Sequence, residues 1–417
     1  MIAHPTPQLV VIGGGAAGFF GAITAAEEGL DQILILERGP DVLQKVRISG
    51  GGRCNVTHDC FDPAELVGSY PRGSKHLRGA FSRFQPADML NWLEDRGVGT
   101  HTEADGRIFP TTNSSATIID CFTEQAHNLG VRWQTRTEVD EVVPLDGGGF
   151  ELTLKSGDKM TTPRLLIATG GIRLAAARKP ATDCGHRFVA PTPSLFTFKI
   201  SDRRLENLAG VSVPKADLEC LGHSFRGPIL ITHWGLSGPA VLKLSAFAAR
   251  DLANCDYRAE VVVNWIGQTA ADAHSALDHY RQLHSKGLVR NHCPFPDLTR
   301  RLWQRLLEVS DVAPGTTWAH LSKTHANILV SQLTASHFQT SGKTLNKEEF
   351  VTAGGVVLDD LVPQTMESRR HPGLYFAGEV LNVDGITGGF NFQAAWTTAY
   401  LAGKAAANFQ LPSSAPL

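Results

Sequence analysis

Residues 9–55 read LVVIGGGAAGFFGAITAAEEGLDQILILERGPDVLQKVRISGGGRCN, and this stretch constrains the fold more than any other. Leu9 to Ile12 is a short apolar run suited to a buried parallel strand. Gly13, Gly15 and Gly18 supply G-x-G-x-x-G, with Gly14 as an extra glycine. The first glycine permits the tight turn, the second lets backbone approach a pyrophosphate, and the third lets helix and strand pack closely. Ala16 to Glu28 reads as a helix ended by Gly29. Its N-terminus offers free N–H groups and a positive dipole end, with Ala17 in the first turn. Ile33 to Leu36 reads as a second strand, and Glu37 and Arg38 follow it. A carboxylate at position 37 can accept hydrogen bonds from both ribose hydroxyls. Strand, glycines, helix, strand and acid in this order make a dinucleotide site, where an isolated glycine motif would not. The stretch does not separate FAD from NAD.

The remaining composition sets outer bounds. A chain of 417 residues, 42% hydrophobic and 19% charged, is globular and long enough for two or more domains. The formal net charge of -2 argues for no partner on bulk charge. The opening MIAHPTPQ has no basic n-region, and no apolar run is long enough for a membrane span. Seven scattered cysteines fit a reducing cytoplasm better than a disulfide framework. With no C-x-x-C and no matching second half for His292-Cys293, no metal is expected.

Lys45 to Asn55 brings three glycines, Gly50, Gly51 and Gly52, and then Arg53, Cys54 and Asn55. A cation, a thiol and an amide beside the nucleotide site read either as site groups or as the polar frame of a tight turn. Ser69 to Gln85 carries Arg72, Lys75, Arg78 and Arg83 without an acid. Helical spacing would align the first three, as a phosphate-facing patch or a solvated face. Val131 to Leu154 reads as strands about a glycine turn, and Leu165 to Gly171 as a buried strand ending in Thr169-Gly170-Gly171. From Pro191 the rhythm changes. Strand-like runs (Leu195–Ile200, Ala259–Trp265, Ile328–Val330) surround helical ones (Ala270–Leu283, Leu298–Leu307). Residues 191–345 therefore read as an inserted domain with a formal charge of +4, against -6 for the rest. Within it, a strand to Thr232 and a turn precede Pro239 at the start of a helix. His233 in that turn reads as an acid, as a substrate contact, or as a histidine satisfied by backbone. In the C-terminal part, Gly373 to Glu379 is a strand ending in Ala-Gly-acid. Gly385, Gly388 and Gly389 then precede a small-residue helix.

These blocks resemble the BaiN/RdsA-type FAD-dependent oxidoreductases. The resemblance rests on ISGGGRCN at 48–55, GRIFP at 106–110, ATGG at 168–171, THWGLSGP at 232–239, and the FVTAGGVV and GLYFAGE runs at 350–357 and 373–379. It covers nearly the whole chain. It lapses at 172–184, where a serine–proline and glycine–threonine turn of the family is replaced by IRLAAARKPATDC. It implies an α/β fold: a two-dinucleotide-type, Rossmann-like FAD domain in two segments, 1–190 and 346–417, with a β-rich plus helical substrate or cap domain, 191–345, between them. It makes the dinucleotide FAD. Gly13, Gly14, Gly15, Ala17, Gly18, Glu37, Arg38, Lys45 and Gly51 to Asn55 would hold it with Thr169, Gly170, Gly171, Gly378, Glu379, Gly388, Gly389, Asn391 and Gln393. The helix after Gly389 would face the flavin's pyrimidine edge.

The implied chemistry is reduction of a double bond conjugated to a carbonyl, either a uracil of ribosomal RNA or a small enone. Hydride would pass to the β-carbon and an acid, Cys54 or His233, would protonate the α-carbon. The reductant would be a small molecule. No second G-x-G-x-x-G is present, so NAD(P)H would dock transiently. An amine oxidase and a flavin-binding protein without turnover are the alternatives. A disulfide reductase is disfavoured by the C-x5-C spacing of Cys54 and Cys60. The protein is expected in the cytoplasm, with no membrane and no metal partner.

Overall fold

The structure is a computed structural model that describes residues 6–344 and 351–410. The chain forms two compact units, one of Met1–Pro191 with Val351–Leu417 and the other of Thr192–Phe350.

The first unit is built on a seven-stranded sheet. Its order is Leu361–Val362, Glu367–Ser368, Leu374–Phe376, Leu165–Ile167, Leu9–Ile12, Ile33–Leu36 and Arg132–Gln134. The last five run parallel. Strands such as LVVI and ILIL are buried along their whole length, as a sheet covered on both faces requires. The helix Ala16–Glu27 follows the first strand, and the helix Phe390–Ala407 packs beside it. Their crossing has room for no side chain. A Cβ on Gly403 would stand 2.3 Å from the Gly21 carbonyl oxygen and 3.0 Å from the Thr24 Cβ. The N-terminal and C-terminal segments of the unit are thus locked together at backbone distance.

The second unit is a closed six-stranded barrel. Its order is Thr197–Ile200, Gly235–Ser237, His223–Thr232, Ser212–Cys220, Glu260–Asn264 and Ser336–Thr344, which pairs back to the first. Val213, Leu218, Ile229, Ile231, Leu236, Val261 and Val263 are buried in its core. Helices at Pro239–Phe247, Ala270–Leu283, Arg300–Val309 and Lys323–Thr334 belong to the same unit. Pro239 stands in the first turn of its helix.

Two expectations are corrected, and one is filled in. Ile328–Val330 is not a strand. It lies inside the helix Lys323–Thr334, where Ala326, Leu329, Val330 and Leu333 bury one face at helical spacing. The expected strand to Thr232, turn and helix start at Pro239 all occur, with a further short strand of the barrel, Gly235–Ser237, between turn and helix. Arg72 is not on a helix with Lys75 and Arg78, because that helix begins at Ser74 after Gly73. Arg72 instead pairs with the fully buried carboxylate of Asp384, Nε donating to Oδ1 at 2.5 Å.

The glycine crossing yields a sign test. Alanine favours an exposed helix interior over glycine by about 1 kcal/mol, whereas overpacking costs about 1–3 kcal/mol. Gly403→Ala should destabilise the protein by about that overpacking cost, read by denaturant unfolding. An unchanged or raised midpoint would contradict the close crossing.

Candidate functional site

Four parallel strands of the first unit deliver the expected site segments from their carboxyl ends. Ile12 leads to Gly13, Leu36 to Glu37, Ile167 to Thr169, and Phe376 to Gly378. Open α/β sheets bind ligands at this edge. The three glycines of the fingerprint differ there. Gly13 has φ +114°, and a Cβ on it would lie 2.3 Å from the Ala168 oxygen. On Gly18 it would lie 1.9 Å from the Gly13 oxygen. On Gly15 it would meet nothing within 4 Å, and the same holds at Gly51, Gly52 and Gly170. The first and third glycines are therefore fixed by protein packing, while the second faces open space. No side chain caps the helix at Gly15, and its first backbone bond runs from Phe19 N–H to the Gly15 oxygen at 3.0 Å. The N–H groups of the first turn are left for a ligand.

Glu37 holds this loop. Its Oε2 accepts from Gly14 N–H at 2.8 Å and its Oε1 from Gly39 N–H at 2.6 Å. Each oxygen keeps a second lone pair for a further donor. Arg38 beside it is exposed. Gly378 is buried against Ala17, where a Cβ would come within 2.7 Å of the Ala17 Cβ. Lys45 donates to Glu379, whose other oxygen accepts from Thr352 N–H at 3.4 Å and lies beside Gly171. One continuous rim thus joins residues 13–18, 37–45, 168–171 and 378–379.

The helix Gln44–Gly52 unwinds at its end. Ser49 is extended, and Gly50 (φ +57°) and Gly51 (φ +68°) are left-handed. Arg53 Nε donates to the Gly50 oxygen at 3.5 Å, and the rest of its guanidinium reaches past the glycines. Its Nη1 donates to Glu103 at 2.7 Å, and its guanidinium lies 3.9 Å over the Phe109 ring. Asn55 satisfies its neighbours with its oxygen accepting from Gly389 N–H at 2.9 Å and its nitrogen donating to the Thr57 oxygen at 2.9 Å. That bond ties the ISGGGRCN block to the start of the helix Phe390–Ala407. Gly388 and Gly389 have positive φ, and no side chain caps the helix. Thr169 Oγ1 donates to the Ala177 oxygen at 2.7 Å, holding the helix Ala175–Asp183 on the strand end.

Several expected groups face inward instead. Gln393 is fully buried, its Oε1 accepting from Thr57 Oγ1 (2.7 Å) and its Nε2 donating to Thr397 Oγ1 (3.1 Å). Asn391 spans its own turn, Oδ1 accepting from Gly385 N–H at 2.8 Å. Cys54 is a core residue with no exposed surface, its backbone at φ +62°. Burial pushes its thiol up to about 12. A proton donor works best with a pKa near the working pH and within reach of substrate, so the structure gives Cys54 neither condition. His233 belongs to the second unit and is exposed at a hairpin tip. Sequence reasoning missed the Arg72–Asp384 pair and His58, whose ring stacks on Phe390 at 4.6 Å beside Gly388. The one local signal for His58 is its position three residues after the GGGRCN block. Among the described residues no group of three or more His, Cys, Asp or Glu could hold a metal ion, and no helix is long and apolar enough to cross a membrane.

The burial of Cys54 gives a direct measurement. In the native protein at pH 8 its thiol should stay unmodified by iodoacetamide while the half-buried Cys60 is alkylated, read by peptide mass spectrometry. Equal labelling of the two would place Cys54 at the surface.

Comparison with known proteins extends over most of the chain. The description "HI0933-like protein Rossmann domain" matches residues 7–405. The chain is 32% identical over 400 residues to the ribosomal RNA dihydrouridine synthase of Escherichia coli K12, covering 94% of this chain and 96% of that one. It is 28% identical over 422 residues to the 3-dehydro-bile acid delta(4,6)-reductase of Clostridium scindens, covering 96% and 99%. Among solved structures it is similar to the 3-ketosteroid-delta4-(5alpha)-dehydrogenase of Rhodococcus jostii RHA1, with a TM-score of 0.51 and 17% identity over 98% of both chains. That last likeness is one of fold. The chain belongs to the HI0933-like Rossmann family, the BaiN/RdsA-type oxidoreductases that its sequence blocks resemble.

Proposed function

We propose that this protein is an FAD-dependent oxidoreductase that reduces a carbon–carbon double bond conjugated to a carbonyl, with a uracil of ribosomal RNA as substrate and dihydrouridine as product. The observation that carries the reading is the 32% identity, over 94% of the chain, to a relative named ribosomal RNA dihydrouridine synthase. The open cradle at Gly15, Gly51, Gly52 and Gly170 supports the cofactor. The small-enone reading rests on the 28% identity to the bile acid reductase.

FAD would supply the hydride when bound in the cradle of the first unit. The residues' own parts follow from their geometry. The open N–H groups after Gly15 would hold the pyrophosphate, and the remaining lone pairs of Glu37 would accept from ribose hydroxyls. Gly13 and Gly18 keep strand and helix close enough for that approach. Lys45 and Glu379 place a cation and an anion together at the rim. The uncapped helix N-terminus at Gly389 presents a positive dipole end, which favours negative charge developing beside it. Asn55, Asn391 and Gln393 fix that N-terminus by binding Gly389, Gly385 and Thr57. NAD(P)H is the proposed small-molecule reductant, docking transiently because the chain carries a single fingerprint.

Two measurements test this reading. Gly15→Val adds bulk where a Cβ meets nothing. The variant should fold with a stability loss under about 1 kcal/mol and yet purify without flavin colour. A folded variant with full flavin content would refute the cradle. Separately, the reduced wild-type protein should be reoxidised by protein-free ribosomal RNA lacking the modification, with dihydrouridine appearing in the RNA. A reduced protein that ignores RNA but reduces a cyclic enone assigns the small-molecule substrate. Stoichiometric peroxide with an amine assigns an oxidase, and no turnover with any of them leaves a binding protein.

A further inference from the structure

Of the seven tryptophans, Trp265, Trp303, Trp318 and Trp396 are at most 1% exposed, and Trp92 and Trp133 are half-buried. Trp234 alone is exposed, at 58%, next to the exposed His233. Single exposed apolar side chains are common and call for no account. Trp234 differs in how it is held and in what flanks it.

Its backbone is pinned on both sides. The Trp234 oxygen accepts from Ile200 N–H at 2.8 Å, and its N–H donates to Thr232 Oγ1 at 3.2 Å. Thr232 Oγ1 in turn donates to the Gly235 oxygen at 3.2 Å. Gly235 has φ +142°, and a Cβ there would lie 2.3 Å from the Phe198 oxygen. The indole is thus presented on a fixed turn, with only its own two side-chain torsions to order on binding.

The strand bonded to this turn supplies cations. Lys199 pairs across from Gly235 and is exposed. Arg203 follows Ile200 by three residues, within about 11 Å of chain, and is exposed. Neither makes an ion pair among the described residues. Arg203 lines an open cleft of about 400 Å³ with Ser201, Asp202, Arg204, Val309 and Gln332. Arg204 is different: it is held by Asp202 at 2.8 Å and by Gln332 at 3.1 Å. So the Asp202 carboxylate is bound by Arg204 and lies in the field of Arg203 as well, while the Arg203 guanidinium itself makes no ion pair among the described residues and lines the cleft.

We infer that the hairpin tip His233–Trp234, with Lys199 and Arg203, is a stacking and phosphate-binding surface for an unpaired stretch of RNA. Unpaired bases are recognised by stacking on aromatic side chains beside cations that track the backbone. A protein partner would call for an apolar, water-excluding ring around the tryptophan, whereas Thr232, His233, Lys199, Ser201 and Arg203 are polar or cationic, and Leu230 alone on this hairpin adds an exposed large apolar side chain besides Trp234. The inference rests on the RNA reading above and adds the surface that takes the strand.

The test uses the full-length flavoprotein and a single-stranded oligouridylate about 12 nucleotides long. A ribose-phosphate oligomer of equal length without bases serves as the second probe. Trp234→Ala should weaken oligouridylate binding about tenfold, with Trp234→Phe retaining most of the affinity. The base-free oligomer should bind both alike. Lys199→Ala with Arg203→Ala should weaken both probes and reduce the slope of log affinity against log salt by about 1.4. Unchanged affinity in Trp234→Ala overturns the inference. So does an equal loss for both probes, which would make the indole a prop for the turn, and so does loss of a protein partner with RNA affinity intact. If wild-type protein forms dihydrouridine while Trp234→Ala binds RNA normally, this surface fails and the function stands. If wild-type protein binds oligouridylate through Trp234 yet reduces only an enone, the surface stands and the substrate reading fails.

Discussion

The bare crossing of the helices Ala16–Glu27 and Phe390–Ala407 is the constraint on which the first unit depends. Two segments separated by the whole second unit must meet with no side chain between Gly21 and Gly403. The entropic cost of closing so long a loop grows only slowly with its length, so the insertion is tolerated if the interface it closes is strong. Here the interface is more than a packing surface. One helix begins at the Gly13–Gly18 loop and the other at Gly389, so their mutual position sets the distance between the two free N-termini. Asn55 and Thr57, bound to Gly389 and Gln393, tie a third segment to the same point. The buried Arg72–Asp384 pair ties in a fourth just before the turn. A buried pair of this kind is weak evidence for stability, and its best-attested use is to fix register. Its place at the approach to Gly385–Gly389 fits that use.

Much of this frame was legible in the residues. Leu9–Ile12 and Ile33–Leu36 are the strands their apolar runs imply. The fingerprint glycines fall where a turn, an open approach and a close contact need them. What the residues did not disclose was direction. Cys54 follows three glycines in sequence, but its left-handed backbone turns the thiol into the core. Gln393 is polar and lies one turn into a helix near the site, yet it shares a face with Thr397 and points inward. Arg72 keeps helical spacing with Lys75 and Arg78, but the partner that decides its place, Asp384, is far away in sequence. Ile328-Leu329-Val330 is a β-branched apolar run too short for periodicity to separate strand from helix.

The segment after Gly171 shows the opposite case. Its residues depart from the family's pattern, which left open what the missing turn does near the site. Here the strand end runs into the helix Ala175–Asp183, which is anchored twice. Thr169 Oγ1 donates to the Ala177 oxygen, and Arg178 Nη1 donates to the Ile172 oxygen at 2.9 Å. Both anchors are side chain to backbone, so they depend little on what the other residues of the segment are. Leu174, just before this helix, is a large apolar side chain left 51% exposed.

Charge in the second unit is easily misjudged from its sum. The formal +4 of residues 191–345 counts every arginine alike, but many hold structure. Arg301 donates to the Asn207 oxygen, Arg305 to the oxygens of Arg203 and Glu206, and Arg281 to the Leu321 oxygen at 2.9 Å. Arg226 is bound by Asp217 at 2.6 Å. A guanidinium that caps carbonyls keeps its charge, and so contributes to long-range attraction. It no longer offers the planar fork that grips a phosphate. Geometry, rather than net charge, then decides where a polyanion seats. Among the described residues, the exposed cations of this unit that make no ion pair include Lys199 and Arg203, on the strand bonded to the Trp234 turn and just after it. On the proposed surface, with so few phosphate grips, stacking on the ring would carry more of the binding than counterion release.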